Sequence, residues 1–419
     1  MHRLAVRSIL SVMLAVLASA CSDRFLPGAP DDALLLDGPV AGLAGAQVAL
    51  HARGDGEFGR RFATIDGLGP LFVATSCDGC HVGEGKGHPA FDLTRFGRMV
   101  NGTFDPMEAE GGPQLQNRAV LGYLAEQMPG GLTAVARFTA PSVTGLGFLE
   151  AVDDTTILAL ADPTDADGDG VSGRAALLDS TELIGAVIAA SAVSGGPTPS
   201  RVANGKYLGR FGKKSRLVNL LHQTVFAYSE DMGVTTDQVP RDLYNRQLGV
   251  QAEDAAPDPE VSASVVNAVV FYLRTLRAPP RRQDTAADVV EGGRLFVQVG
   301  CASCHRPSMK TGRSDVPQLD RVEFAPFTDL LLHDMGPELN DGYTEGDAAP
   351  AEWRTAPLWG LGLAARAQGG GTHFLHDGRA PSLRDAIRFH GGEGSRSRAA
   401  FDALPAPQQE LLLAYLRSL

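Results

Sequence analysis

The stretch Leu295-Phe296-Val297-Gln298-Val299-Gly300-Cys301-Ala302-Ser303-Cys304-His305 decides how this chain is read. It ends in C-x-x-C-H, the attachment signature of c-type haem. Two thiols add covalently to the haem vinyl groups, and the adjacent His supplies an iron ligand. A second copy, Leu71-Phe72-Val73-Ala74-Thr75-Ser76-Cys77-Asp78-Gly79-Cys80-His81, keeps the same Leu-Phe-Val triplet three residues ahead of its first Cys. Two such copies read as a duplicated cytochrome c unit, with His81 and His305 as proximal ligands. Two disulfides or a zinc site are the competing uses of these cysteines. Neither accounts for a His directly after the second Cys both times.

At 419 residues the chain is long enough for two domains, with room for insertions. With 49 Gly and 26 Pro, long turn-rich loops between modest helices are expected. The fold class that follows is mainly α: two cytochrome c-like domains with long loops and a large insertion in the first. A net charge of -12 argues against nucleic acid, whose binders need basic patches, and suits a positively charged small redox protein as electron donor or acceptor.

The first residues read as a secretory signal over 1–20. His2, Arg3 and Arg7 precede an apolar run from Ile9 to Ala20, too short to span a membrane. Leu17-Ala18-Ser19-Ala20-Cys21 resembles a bacterial lipobox, and Cys21 is the odd cysteine left by the haem motifs. The reading is an exported lipoprotein, lipidated at Cys21 and held in the periplasm at the outer membrane, with Ser22 matching the sorting pattern. Export also fits c-type haem, which is attached outside the cytoplasm. Residues 21–38, with Pro, Gly and several Asp, read as a tether.

A second repeat sets the boundaries. Val269-Val270-Phe271-Tyr272-Leu273-Arg274-Thr275-Leu276 matches Leu412-Leu413-Ala414-Tyr415-Leu416-Arg417-Ser418-Leu419. Each haem motif is thus followed by an aromatic-bearing closing helix, and Pro279-Pro280 breaks the chain between them. The first domain is 39–278 and the second 285–419. Within the insertion, Gly209 to Lys214 reads as the opening of an amphipathic helix carrying Leu217, Leu220, Leu221, Val225 and Phe226. His88, His222 and Met232 are available to the first haem but read more simply as exposed or packed residues. Asp165-Ala166-Asp167-Gly168-Asp169-Gly170 resembles the first half of a calcium loop, which needs about six to eight oxygens. The twelfth position is Ala176 rather than Glu, so Asp165, Asp167 and Asp169 as Ca²⁺ ligands and a solvated acidic turn both stay open.

In the second domain, Ser382-Leu383-Arg384-Asp385 has the form of a helix N-terminus. Leu383, Ala386, Ile387 and His390 then fall on one face, and Gly391-Gly392 ends the helix. His390 emerges from the last turn of that face, as a packed residue or as an iron ligand.

These blocks together resemble the bacterial di-haem cytochrome c peroxidase superfamily, which includes the methylamine dehydrogenase maturation enzyme. More closely, the chain resembles the di-haem oxidoreductase family labelled thiol oxidoreductase. The carrying residues are Gly145 to Glu150, Asp165 to Gly173, Leu332 to Gly336, Glu352 to Gly360 and Phe374 to Gly392. The peroxidases place Met, and the maturation enzyme Tyr, where this chain has His390. The resemblance implies His390 as distal ligand of the second haem, with Met335 as the alternative. It implies an oxidoreductase of peroxidase type: one relay haem, and one haem open to peroxide or another small oxidant. Alternatives are an electron-transfer cytochrome without a substrate, or a redox accessory to another protein or to metal uptake. Two departures limit the carry-over. Trp353 and Trp359 both lie in the second domain, whereas the peroxidases keep their inter-haem Trp in the first. The distal His of the peroxidases' first haem also has no clear counterpart here.

Overall fold

The computed structural model describes residues 36–194, 196–249 and 256–419. The signal segment, Cys21 and the tether up to residue 35 lie outside them. In chain order the described helices are α1 (Ala46–Phe58), α2 (Leu146–Glu150), α3 (Asp154–Leu160), α4 (Glu182–Ser194), α5 (Leu220–Met232) and α6 (Ala263–Thr275). They continue with α7 (Ala287–Gln298), α8 (Ala364–Ala367), α9 (Leu383–Arg388), α10 (Ser395–Ala403) and α11 (Ala406–Ser418).

Each haem motif is backed by one pair of crossing helices. Val266, Val269, Val270 and Leu273 form the buried stripe of α6, and Val289, Gly292, Leu295 and Phe296 that of α7. Helix α1 crosses α6 at Gly54, where a Cβ would lie 2.1 Å from the Ala268 carbonyl oxygen. Helix α7 crosses α11 at Gly292, where it would lie 2.0 Å from the Leu411 carbonyl oxygen. Only a residue without a side chain lets the backbones approach so closely. The aromatic neighbours repeat as well: Phe58 meets Tyr272 at 5.5 Å, and Phe296 meets Tyr415 at 5.3 Å, both rings tilted by 50°. Replacing Gly292 by Val is expected to force α7 and α11 apart, at about 1–3 kcal/mol for overpacking. Calorimetry of the haem-loaded chain reads this as a lower Tm; an unchanged Tm would refute the crossing.

The fold is mixed rather than mainly α, with 36% helix and 13% strand. The correction comes from the insertion. Leu93–Val100 lies between Thr103–Asp105 and Ala134–Phe138 in an antiparallel sheet, with Phe96 opposite Val135. Ala134–Phe138 alternates buried and exposed, but five residues are a short signal; Leu93–Val100 buries three consecutive residues and does not alternate. The α5 boundary also differs from expectation. Tyr207–Gly209 is a strand and Phe211 bridges Leu217, so the helix begins only at Leu220, capped by the Asn219 side chain accepting from the His222 N–H.

One large apolar cluster gathers residues from Phe58 to Leu276 with Met309, Leu330, Leu331 and Trp359, and Cys77 packs against it. A second spans Val289 to Leu419, and Cys301 packs against that one.

Candidate functional site

Both C-x-x-C-H segments fold into the same tight turn. The His81 N–H donates to the Cys77 carbonyl and the His305 N–H to the Cys301 carbonyl, each at 3.0 Å. The side chains are fixed the same way too: His81 Nδ1 lies 2.8 Å from the Pro141 carbonyl oxygen, and His305 Nδ1 lies 2.9 Å from that of Phe327. A carbonyl only accepts, so Nδ1 carries the proton and Nε2 keeps its lone pair for a metal. Burial lowers both histidines to about 4, which keeps them neutral at pH 7.

Across from His305 stands His390, their ring centres 6.4 Å apart. Its Nδ1 donates to the Ala386 carbonyl at 2.8 Å, again leaving Nε2 with the lone pair. Two imidazoles sharing one iron, each about 2 Å from it through Nε2, bring their ring centres to about 6 Å. The two imidazoles therefore fit a haem iron between them. Ser382 caps α9 by accepting from the Asp385 N–H, and His390 follows two residues after the helix ends at Arg388. Met335 packs among Tyr343, Trp353 and Phe389.

His81 is different. Its nearest aromatic neighbour is Phe58, at 6.1 Å, and among the described residues no second imidazole stands at a like distance. His222 accepts from the Val218 N–H and lies edge-on to Phe226; Met232 is buried in the large core. His88 accepts from the Ala90 N–H and meets His373 at 4.7 Å. Cys77, His81, Lys213 and Asp231 are all part-buried.

All four motif cysteines are free of disulfides. Burial pushes the thiols up, to about 12 for Cys77 and Cys301 and about 11 for Cys80. These are thiols rather than thiolates, and the two pairs sit in different apolar clusters, which disfavours a shared zinc ion.

Several further groups gather around the second motif, and the sequence does not show which of them meet. His333 Nε2 lies 2.9 Å from Asp329 and its Nδ1 2.7 Å from Glu393, with Cys304 Sγ at 3.7 Å. Burial resists charge here, but the hydrogen bonds to Asp329, Cys304 and Glu393 outweigh it and raise His333 to about 12. His333 thus sits, with two carboxylates, beside the second cysteine of the C-x-x-C-H segment. Its strand partner Trp353 stacks on His376 at 3.7 Å, with Lys214 Nζ over the indole at 3.9 Å.

In the acidic loop, Asp165 and Asp167 cluster with Asp162, whereas Asp169 turns to accept the Val171 N–H. Backbone N–H groups of Ala166 and Asp167 donate to Asp162 and hold its carboxyl below the ordinary range. The loop is tied to the segment after His390: the Ser172 N–H donates to Glu393, and Arg396 donates to the Asp169 carbonyl.

Comparison with known proteins bears on the same residues. A family model described as "Di-haem oxidoreductase, putative peroxidase" matches residues 130–419, which include the second motif and begin after the first. No curated protein matches. Among solved structures the chain is similar to Kuenenia stuttgartiensis hydrazine synthase pressurised with xenon, at 14% identity, covering 94% of this chain and 98% of that one, with a TM-score of 0.36. It is also similar to a MauG-like protein associated with microbial copper homeostasis, at 17% identity, covering 53% of this chain and 77% of that one, with a TM-score of 0.29.

Proposed function

This chain belongs to the di-haem oxidoreductase family, and from that premise we propose an exported, peroxidase-like enzyme with two covalently attached haem c groups of unequal access. When bound, haem supplies a redox-active iron whose reactivity follows its axial ligands and what can reach it. One contrast carries the reading: His305 faces a second imidazole, and His81 does not. His305 and His390 close the second site, which suits exchange of electrons with a small redox protein. The Pro141 carbonyl holds His81 with its lone pair on Nε2, and an iron held there without a second imidazole would keep a position for a small oxidant such as peroxide. Lipidation of Cys21 would keep the enzyme in the periplasm at the outer membrane.

Low-temperature EPR on the fully oxidised, haem-loaded chain tests the proposal. The expected result is one high-spin and one low-spin ferric signal, with peroxide perturbing only the high-spin one. Two low-spin signals in the oxidised chain, with the haem left ferric after half-reduction still low-spin, would replace the enzyme with a relay cytochrome.

A further inference from the structure

His390 leaves α9 with little local support. The helix is six residues long, and Gly391-Gly392 follow His390 at once. Glycine gives the backbone more conformations than any other residue, so a side chain beside such a pair is steady only if the chain beyond it is fixed. Glu393 fixes it. Its side chain is 11% exposed. Oε1 accepts from the Asp334 N–H at 2.8 Å; Oε2 accepts from the Ser172 N–H at 2.8 Å and lies 2.7 Å from His333 Nδ1. The backbone closes the same contact: a Cβ on Gly392 would come within 2.1 Å of the Asp334 carbonyl oxygen.

On its other side His333 reaches the second motif. The nitrogen that meets Glu393 lies 3.7 Å from Cys304 Sγ, and the opposite nitrogen lies 2.9 Å from Asp329. A Cβ on Gly173 would come within 2.4 Å of the His333 ring, so the loop that carries Ser172 packs the imidazole in place. A continuous line of contacts runs from the segment after His390, through Glu393 and His333, to the cysteine next to His305. The two facing imidazoles, 6.4 Å apart, are thereby tied to one another through the polypeptide. Three groups meet the Glu393 carboxylate, and all three donate. Both of its oxygens only accept, so they match; an amide there would turn an NH2 against one of the donors.

We propose that Glu393 is a positioning residue that holds His390 toward His305, and so keeps the second haem closed to small ligands while the first stays open. The inference rests on the reading that His305 and His390 share the iron of the second haem.

Stopped-flow binding of carbon monoxide to the fully reduced, haem-loaded chain tests this. Wild type is compared with Glu393→Ala, Glu393→Gln, His390→Ala and the Glu393→Ala/His390→Ala double variant, each after a haemochrome count. An open iron binds at once; a closed one binds only as fast as its sixth ligand leaves. Wild type should give a fast phase from the first haem and a slow or missing one from the second. Both Glu393 single variants should speed the second phase at least tenfold, or make it appear, and leave the fast phase unchanged. The double variant should match His390→Ala alone, because Glu393 acts only through His390. A second phase unchanged in both Glu393 variants would overturn the proposal, and so would a Glu393→Ala effect that persists without His390. Should Glu393→Ala load fewer than two haems, Glu393→Gln decides. Failure of the underlying reading looks different: a wild-type second haem that binds as fast as in His390→Ala would remove His390 from the iron, and the positioning role with it.

Discussion

Replacing His390 by Met raises the second haem's midpoint potential by a sizeable part of the roughly 0.8 V that axial ligation spans. The expectation rests on the 6.4 Å separation of the His305 and His390 rings and on the Nδ1 bonds that turn both lone pairs to Nε2. A thioether donates less strongly to ferric iron than imidazole does, so the reduced state gains. Replacing His390 by Ala should remove the sixth ligand and turn the low-spin signal high-spin. Met335→Ala tests the other candidate: its side chain packs against the cluster of Tyr343 and Trp353, and with His390 on the iron the change should leave the spectrum alone. Redox titration with optical detection reads the Met variant and EPR the Ala variant. A wild-type spectrum and potential in His390→Met would remove His390 from the iron.

The largest stability effect is expected at Glu150 and Arg274. Both side chains are 2% exposed, and Arg274 Nε lies 2.5 Å from Glu150 Oε2. Glu150 also accepts the Leu220 N–H at the first residue of α5. The pair therefore joins the end of α2, the start of α5 and the last turn of α6, tying the insertion to the first unit's closing helix. Changing Glu150 to Gln leaves a buried guanidinium without its counter-charge, at roughly 3–5 kcal/mol. The double change to Glu150→Leu with Arg274→Met removes both charges together and should cost less than either single variant. Calorimetric Tm values of all three test this; a Glu150→Gln variant as stable as wild type would show that the pair is incidental.

What was legible in the residues was whatever covalent or periodic constraint writes locally. Haem attachment dictates Cys and His spacing, and the closing helices repeat Tyr272 and Tyr415 on an apolar stripe. His390 was reachable because helix periodicity projects it from the face of Leu383 and Ile387. Contacts between distant segments leave no such trace. Nothing around Glu150 names Arg274 as its partner, and nothing near His333 announces Glu393. The strands escaped for the opposite reason: Leu93–Val100 has the local signal of a buried run, which periodicity alone does not distinguish from a helix segment.

The helix crossings also impose an order of assembly. Gly292 waits only for Leu411, well over a hundred residues later, whereas Gly54 waits for Ala268, more than two hundred residues later. Ends that must meet across a longer loop meet later, and their contact adds more to the folding time. A chain that emerges N-terminus first therefore presents Cys77, Cys80 and His81 long before α6 can cover them. On the proposed function, the first C-x-x-C-H segment has the longer period of exposure to the machinery that would load haem, and to any oxidant that would join its two thiols prematurely.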